Sequence, residues 1–536
     1  MKKYVSLLLC FVLLLGCFSG CGSETAADDT APETTASESP TPEATDPAAT
    51  DSAIAGVFSV GYSKVDITPS EPVRLAGFSS SEERNSKSVL DPIYATCVAF
   101  TDEEGTTVLM FGLDMLNTSE KAAEDIRDMI TEVIDIPRDN IVFSATHTHS
   151  SMSPKTTGIP GDRLRTRCLE AAKEAMADRK PAQMYAGFGR PEGLNWRRHF
   201  ILTDGTYRAY EMGLIDQSLI YGHLGQADNL MQLVKFTREG GKDVVLINWQ
   251  AHYAGANKID HYAISADYAG VMRSEVEKQL DCHAAFVLGG AGNLVSGSRM
   301  TNNYIFDNYD YDSYVTHGQL LAAEAVKIAQ NWQPAQTGNI HLIKEDYVMV
   351  EKKHPLYTFG FGEFGCAFAP FEIFDMHARE VREASPYKFT FYASCANAGD
   401  GQKYMPNEEA FSYYCYEADL GSNLYGKGAA EILRDQLMAM MDKTFQASGQ
   451  QAQEKAEGYM STPYEPRTNG HTYLNPAPGS LPITEGENGY WYFDLLYNNR
   501  VARILVRDKA LADQIAQMPS VQLLFDDYNV AVGIVE

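Results

Sequence analysis

The sequence predicts a mixed α/β body followed by a small α+β appendage. Three observations carry this. Apolar runs of strand length alternate with helical patterns through most of the chain. Four of those runs hand over at their C-terminal ends to polar or Gly-rich loops, which is where α/β sheets build their sites. Finally, 536 residues with 44% hydrophobic and 11% aromatic content can bury a large core, whereas composition changes after about Gln446. The body is expected over 55–445 and the appendage over 446–536, with two to four domains' worth of chain at the usual ~100 to 200 residues per domain.

At the N-terminus, Lys2 and Lys3 precede an almost unbroken apolar run, Val5 to Leu15, too short to span a membrane. Gly16-Cys17 and Gly20-Cys21 follow. A small residue directly before Cys after such a run resembles the lipobox of bacterial lipoproteins, whose Cys is diacylated and becomes the new N-terminus. Leu14-Leu15-Gly16-Cys17 fits best, which makes Cys17 the expected lipid anchor and Cys21 the second choice. The other reading is an ordinary cleaved signal that leaves a secreted protein. Residues 1–21 are thus expected to be a lipoprotein signal peptide and the protein an extracytoplasmic lipoprotein of a bacterial cell membrane. It would touch that membrane through its N-terminal lipid only. Residues 22–54, rich in Thr, Ala, Pro and Ser with eight acids and no Lys or Arg, read as a solvated, disordered tether.

Formal net charge is −27. Setting aside the signal's two lysines and the tether's eight acids leaves about −21 on the body, which argues against a nucleic-acid partner. Beyond the signal the cysteines are Cys97, Cys168, Cys282, Cys366, Cys395 and Cys415, none spaced as C-x-x-C. Wide spacing inside apolar runs reads as buried free thiols rather than a cysteine zinc site.

Within the body, Val57 to Ile67 is a strand, and Tyr94 to Phe100 with Thr107 to Gly112 form a hairpin about Asp102-Glu103-Glu104-Gly105. Asn117-Thr118-Ser119-Glu120 opens a helix with Ile126, Met129, Ile130 and Val133 at i, i+3, i+4, i+7. The strand Ile141 to Ser144 then runs into Thr146-His147-Thr148-His149-Ser150. Val244 to Trp249 runs into Gln250-Ala251-His252, Ala284 to Leu288 into Gly289-Gly290-Ala291-Gly292-Asn293, and Phe389 to Ser394 into Ala396-Asn397-Ala398-Gly399. Helical patterns at Leu164 to Ala177, Tyr268 to Leu280 and Gly318 to Trp332 lie between them. Tyr490 to Leu496, Val501 to Val506 and Ala531 to Val535 read as strands of the appendage, and Ala510 to Ala516 as a helix.

An extended H-x-H puts His147 and His149 on one side of the chain, and His252 arrives from another strand end. Neutral imidazoles converging this way suit a catalytic zinc that also needs a carboxylate and an open position for water. Two histidines hydrogen-bonded in a loop is the alternative. Asp114, after the strand Thr107 to Gly112, and Asp267 are candidates to orient the histidines. Asp307 to Tyr314 lacks the spaced carboxylates of a Ca²⁺ loop and reads as surface.

Six segments, in order, resemble the neutral or alkaline non-lysosomal ceramidases and bacterial proteins that share their N-terminal domain. Ser144-Ala145-Thr146-His147-Thr148-His149-Ser150 is similar to S-G-T-H-T-H-S, and Asn195-Trp196-Arg197-Arg198 to N-R-R. Asn248 to His252 followed by Ser265-Ala266-Asp267-Tyr268-Ala269-Gly270 is similar to N-x-x-A-H-P and S-A-D-Y-P-G. Ala285 to Asn293 resembles the segment ending in G-A-A-G-D, Pro370-Phe371-Glu372-Ile373-Phe374 resembles P-G-E-F-F, and Ala396-Asn397 through Tyr404-Met405-Pro406 resembles A-N-G-Y-x-G-Y-I-P. The resemblance covers roughly Phe58 to Met440. It implies Zn²⁺ held by His147, His252, Glu372 and Tyr404, with His149 beside the metal as proton shuttle or oxyanion donor and Arg198 on a polar or anionic substrate group. The implied activity is cleavage of an amide, N-acyl bond by zinc-activated water, as in sphingolipid metabolism, on a small-molecule or lipid-like substrate.

Departures from the pattern bear on specificity. Asn293 replaces the acid after the Gly-rich loop and stands with Asp114 and Asp267 among the residues expected around the metal. Ser296 is displaced by one position, Tyr253 follows His252 in place of Pro, Phe371 precedes Glu372 in place of Gly, and Ala398 to Lys403 is longer. Zinc ligation is compatible with these changes, while ceramide specificity does not follow from them. Two further readings stay open: a hydrolase of a non-ceramide amide or ester, and a non-catalytic surface-binding lipoprotein on a hydrolase-like scaffold. A barrel-type metal amidohydrolase fits less well, because two or three strands precede His147.

Overall fold

The computed structural model describes residues 54–78, 83–202, 207–209, 220–253, 255–296, 312–349, 352–397, 403–412, 415–418, 423, 425–461, 484–485, 491–497, 500–506, 509–510, 513 and 531–535. The signal, the tether, Cys17, Cys21 and most of the 307–314 loop lie outside them.

Two sheets pack face to face with helices on both outer sides, a four-layer mixed α/β arrangement and not a barrel. The larger sheet contains β1 (Ser59–Asp66), β2 (Tyr94–Thr101), β3 (Thr107–Leu113), β4 (Ile141–Ala145), β5 (Lys180–Gly189), β6 (Met231–Arg238), β7 (Val244–Trp249) and β8 (His283–Leu288). Their order is β8-β7-β6-β5-β1-β2-β3-β4, with Gln333–Ala335 pairing to β5. Only β3 with β4 and β7 with β8, at the two ends, run parallel. The smaller sheet runs β9 (His341–Met349), β10 (Lys352–Phe361), β11 (Phe364–Phe368), β12 (Phe389–Ala393), the last pair parallel.

The strands read as unbroken apolar runs because both faces are covered. In β3, Val108 and Met110 face the inter-sheet core while Leu109, Phe111 and Leu113 face α1 (Glu120–Thr131) and α2 (Gly158–Ala177). In β7, Val244 and Leu246 face the second sheet, and Val245, Ile247 and Trp249 face α3 (Asp267–Leu280) and α4 (Asp312–Ile328). This is period-two alternation between two apolar layers. The inter-sheet core is dense in Phe: Phe58, Phe100, Phe236, Phe361, Phe364 and Phe391 all enter it. Beyond the second sheet lie α5 (Asp375–Ala384) and α6 (Ala429–Ala447). Gly360 and Gly365 face each other across β10 and β11, and a side chain on either would collide with the Tyr387 ring, so the glycine pair makes a slot for that ring.

The chain past residue 446 still contributes to this body. Tyr459 is fully buried in the inter-sheet core, donates from its hydroxyl to Gln232 Oε1 at 2.6 Å and accepts from Thr390 N at 2.9 Å. Farther on, Thr484–Glu485, Trp491–Tyr497, Arg500–Val506 and Ala531–Val535 form an antiparallel four-stranded sheet. Cys97, Cys168, Cys282, Cys366, Cys395 and Cys415 are all buried and free.

One feature positions the site. The edge strands β4 and β8 are at opposite ends of the hydrogen-bonded order, yet they touch, because the twisted sheet curls back on itself. The segment after β12 sits on both edges: Ser394 N donates to Leu288 O (2.9 Å) and Asn397 N to Phe143 O (3.1 Å). Asn397 also accepts on its side-chain oxygen from Phe143 N and from the buried Arg127. The C-terminal ends of β4, β7, β8 and β12 are thereby gathered at one place.

Candidate metal centre

His147, His149, His252 and Glu372 meet at that gathering point. His147 follows β4 and has φ of 61°, a left-handed conformation that costs a non-glycine residue about 1–3 kcal/mol. Its backbone N donates to Met115 O, and its Nδ1 lies 2.9 Å from Leu116 O. A carbonyl can only accept, so Nδ1 carries the proton and the Nε2 lone pair is free. His252, after β7, repeats the device: Nδ1 donates to Ala291 O at 2.8 Å, beyond the end of β8. The two Nε2 atoms are 3.3 Å apart, and Glu372 Oε2 is 3.3 Å from each. His149 Nε2 is also 3.3 Å from His147 Nε2.

Glu372 comes from a two-residue strand, Glu372–Ile373, paired in parallel with Tyr404–Met405, so Glu372 and Tyr404 are direct neighbours in register. The Tyr404 ring lies parallel to that of His252 at 6.4 Å. All five side chains are buried. Glu372 Oε2 has no well-aligned hydrogen bond despite its two close imidazoles. Lone pairs of two oriented imidazoles and a carboxylate aimed at one another, without enough protons between them, fit a bound cation.

The electrostatics favour a proton on His147 opposite Glu372, the positive charge that a bound cation would replace. Burial raises the Glu372 carboxyl, but His147 beside it outweighs this and holds it well below the usual range. Burial lowers the His147 imidazole, yet Cys395 and Glu372 together raise it well above its ordinary value. His252 is pushed down to about 4 by burial, Arg198 and His147. His149 is driven well below its ordinary value by burial and by His147 and His252. His149 and His252 are therefore neutral near pH 7, as ligands or proton acceptors must be.

The structure does not bring every expected residue to this cluster. Asp114 orients no histidine: its Oδ2 is taken by Arg273 (2.6 Å) and Tyr94 N (2.9 Å). Asp267 accepts from Gly255 N and Ala256 N, bracing the loop after His252. Asn293 pairs with Asp375, donating to Oδ1 and accepting from its N at 2.9 Å each, and its carbonyl accepts from Arg198 N. Ser296 donates to His252 O and Tyr253 O and so fastens the same loop. Arg198 is buried, ion-paired to Glu417 at 2.7 Å, with its guanidinium 5.3 Å from the Tyr404 ring centre.

Other residues at the site escaped the sequence reading. Cys395, with φ of 52°, places its sulfur 3.4 Å from His147 Nδ1. Its position just beyond β12 was the available signal. The His149 ring is stacked on Tyr253 at 3.9 Å and met edge-on by Phe78 at 5.1 Å, which is 39% exposed and forms part of the rim. Arg84 holds this rim by donating to the carbonyls of Ala76, His149 and His261. Gly77 has φ of +105°, and a Cβ there would lie 2.6 Å from the His149 ring. Gly77→Ala is accordingly expected to destabilise the fold by more than about 1 kcal/mol and to displace His149. Urea unfolding, together with the His149 ring signals in an NMR spectrum, checks both effects.

The fold and the cluster define a class: a mixed α/β protein with a buried histidine–carboxylate centre of metal-binding type, where the ends of the curled sheet meet. Among solved structures, the neutral ceramidase from Pseudomonas aeruginosa matches with a TM-score of 0.59 and 14% identity, over 84% of this chain and 84% of that one. A ceramidase complexed with C2 matches with a TM-score of 0.60 and 15% identity over the same shares. No protein-family model and no curated protein matches the chain. The chain has the neutral-ceramidase fold, as its motifs led one to expect.

Proposed function

We propose that the protein is a zinc-dependent hydrolase of amide, N-acyl bonds, anchored outside the cytoplasm through a lipid on Cys17 or Cys21. The observation that carries the catalytic reading is the 3.3 Å convergence of Glu372 Oε2 with the Nε2 atoms of His147 and His252, whose Nδ1 atoms are fixed on backbone carbonyls. His147, His252, Glu372 and Tyr404 would hold the ion. Zinc bound there supplies a Lewis acid for a carbonyl oxygen and an acidified water. The work of the chain is to orient and to move protons. His149, neutral and with its Nδ1 buried without a partner, is placed to take a proton at one ring nitrogen and return it to the leaving amine. Tyr253 and Phe78 wall off one side of His149 from water. Tyr253 and Phe371 occupy positions that are Pro and Gly in the ceramidase pattern, which supports an N-acyl substrate other than ceramide as readily as ceramide itself.

The test is hydrolysis of a set of N-acyl amides, including an N-acyl sphingoid base, N-acyl amino acids and N-acyl amino sugars. Cleavage of at least one is expected to vanish with a chelator and to return with zinc. A zinc-loaded protein that binds these compounds and cleaves none would instead indicate a surface-binding lipoprotein.

A further inference from the structure

A second set of buried polar residues lies against Tyr404. Glu417 is fully buried, accepts from Arg198 Nε at 2.7 Å on one oxygen and faces His199 Nε2 at 3.0 Å with the other. Arg198 lies over the Tyr404 ring, its guanidinium 5.3 Å from the ring centre. Tyr416, next to Glu417, meets the Tyr404 ring edge-on at 5.5 Å. His199 in turn packs edge-on against Phe374, two residues after Glu372. The turn Tyr416–Ala418 therefore touches Tyr404 by two routes, one through a ring and one through a guanidinium. His199, Glu417 and Cys415 also bring donor atoms within 4.8 Å of one another. A metal of their own is disfavoured there, since Arg198 already neutralises Glu417 and would stand beside the cation.

We propose that Glu417 is a positioning residue, which through Arg198 fixes the Tyr404 phenol toward the centre formed by His147, His252 and Glu372. This rests on the metal-centre reading above. Arg is suited to the part, because its planar fork can hold a carboxylate and still present donors to a second oxygen. Without Glu417 the buried guanidinium loses its partner at 2.7 Å and is free to shift, and the phenol loses that support. Arg198 on this account serves the ligand shell rather than the substrate.

The experiment uses the full-length protein in detergent and two metals. Zinc affinity is measured by competition with a chromophoric chelator, and Cu²⁺ serves as a probe for the visible phenolate-to-copper charge-transfer band that marks Tyr ligation. Tyr404→Phe sets the limit for a lost band. Glu417→Gln is expected to weaken zinc about 10- to 100-fold, the usual cost of removing an outer partner of a ligand, and to lose the band. Glu417→Asp is expected to recover part of both. Arg198→Lys, which keeps a charge for Glu417, is expected to lose the band as well, and this second variant decides the matter if Glu417→Gln does not fold. A merely structural role would lower the melting temperature and leave the band in place, and that result would overturn the proposal. So would a second metal equivalent lost in both Cys415→Ser and Glu417→Gln. Wild-type protein that takes up no metal would overturn the parent reading along with this one.

Discussion

His252→Ala is expected to purify essentially free of metal, and the wild type with about one zinc per chain. The substitution removes one Nε2 and takes from Ala291 O one of its two donors, the other being Leu294 N. Glu372 then keeps His147, with His149 two positions farther along the same chain segment beyond β4. Loss of a ligand should exceed the roughly 10- to 100-fold that loss of an outer hydrogen bond costs. Glu372→Ala should behave alike, since its carboxylate is the anionic partner of both imidazoles. Elemental analysis reads the result directly. Thermal unfolding supplies the second measure: zinc at a hundred times its dissociation constant stabilises the wild type by about 2.7 kcal/mol and should leave both variants unmoved. Stoichiometric zinc in either variant would remove the centre described above from consideration.

Asp114→Ala is expected to cost about 3–5 kcal/mol of stability, as breaking a buried ion pair does. Asp114 is 0% exposed and Arg273 1%, and their contact is 2.6 Å. Truncation leaves the buried guanidinium of α3 without its 2.6 Å partner and frees Tyr94 N as well. The pair ties α3 to the end of β3, so its loss should loosen the covering of the sheet rather than the metal centre. The double variant Asp114→Leu with Arg273→Met should recover much of the stability, because a buried pair replaced by apolar groups is often neutral. Urea denaturation of the single and double variants measures both. A single variant that keeps wild-type stability but loses metal would restore Asp114 to the part of orienting a histidine.

The contrast between these two residues shows where sequence is informative. His147 and His252 were legible because each follows an apolar run buried on both faces, and such runs are read from composition alone. The same property exposed β2, β3, β4, β7, β8 and β12. Strands β9 to β11 were not recognised: β10 opens on Lys352-Lys353-His354-Pro355, and Gly360 and Gly365 interrupt the Phe-rich part, both signals against a strand. Their role, a slot for Tyr387, exists only once the sheet has formed. Asp114 was misjudged for a related reason. A carboxylate at a strand end says nothing of Arg273, 159 positions away, which claims it. The aromatic rim was hidden likewise, since Gly77-Phe78 and Tyr253 are unremarkable until curling brings them against His149. Glu372 and Tyr404 were reached through motif resemblance, as neither has a local pattern of its own.

The curled sheet carries a mechanical consequence. His147 sits at one edge strand and His252 beside the other, so a cation held by both bridges a seam that backbone hydrogen bonds do not close. Among the described residues, side chains and the loop after β12 span that join. The ion would act as a clasp, and its binding energy would resist parting of the seam without adding to strand pairing elsewhere. Chelation should therefore loosen this margin first, so that the metal-poor protein breathes along the line between the two edge strands.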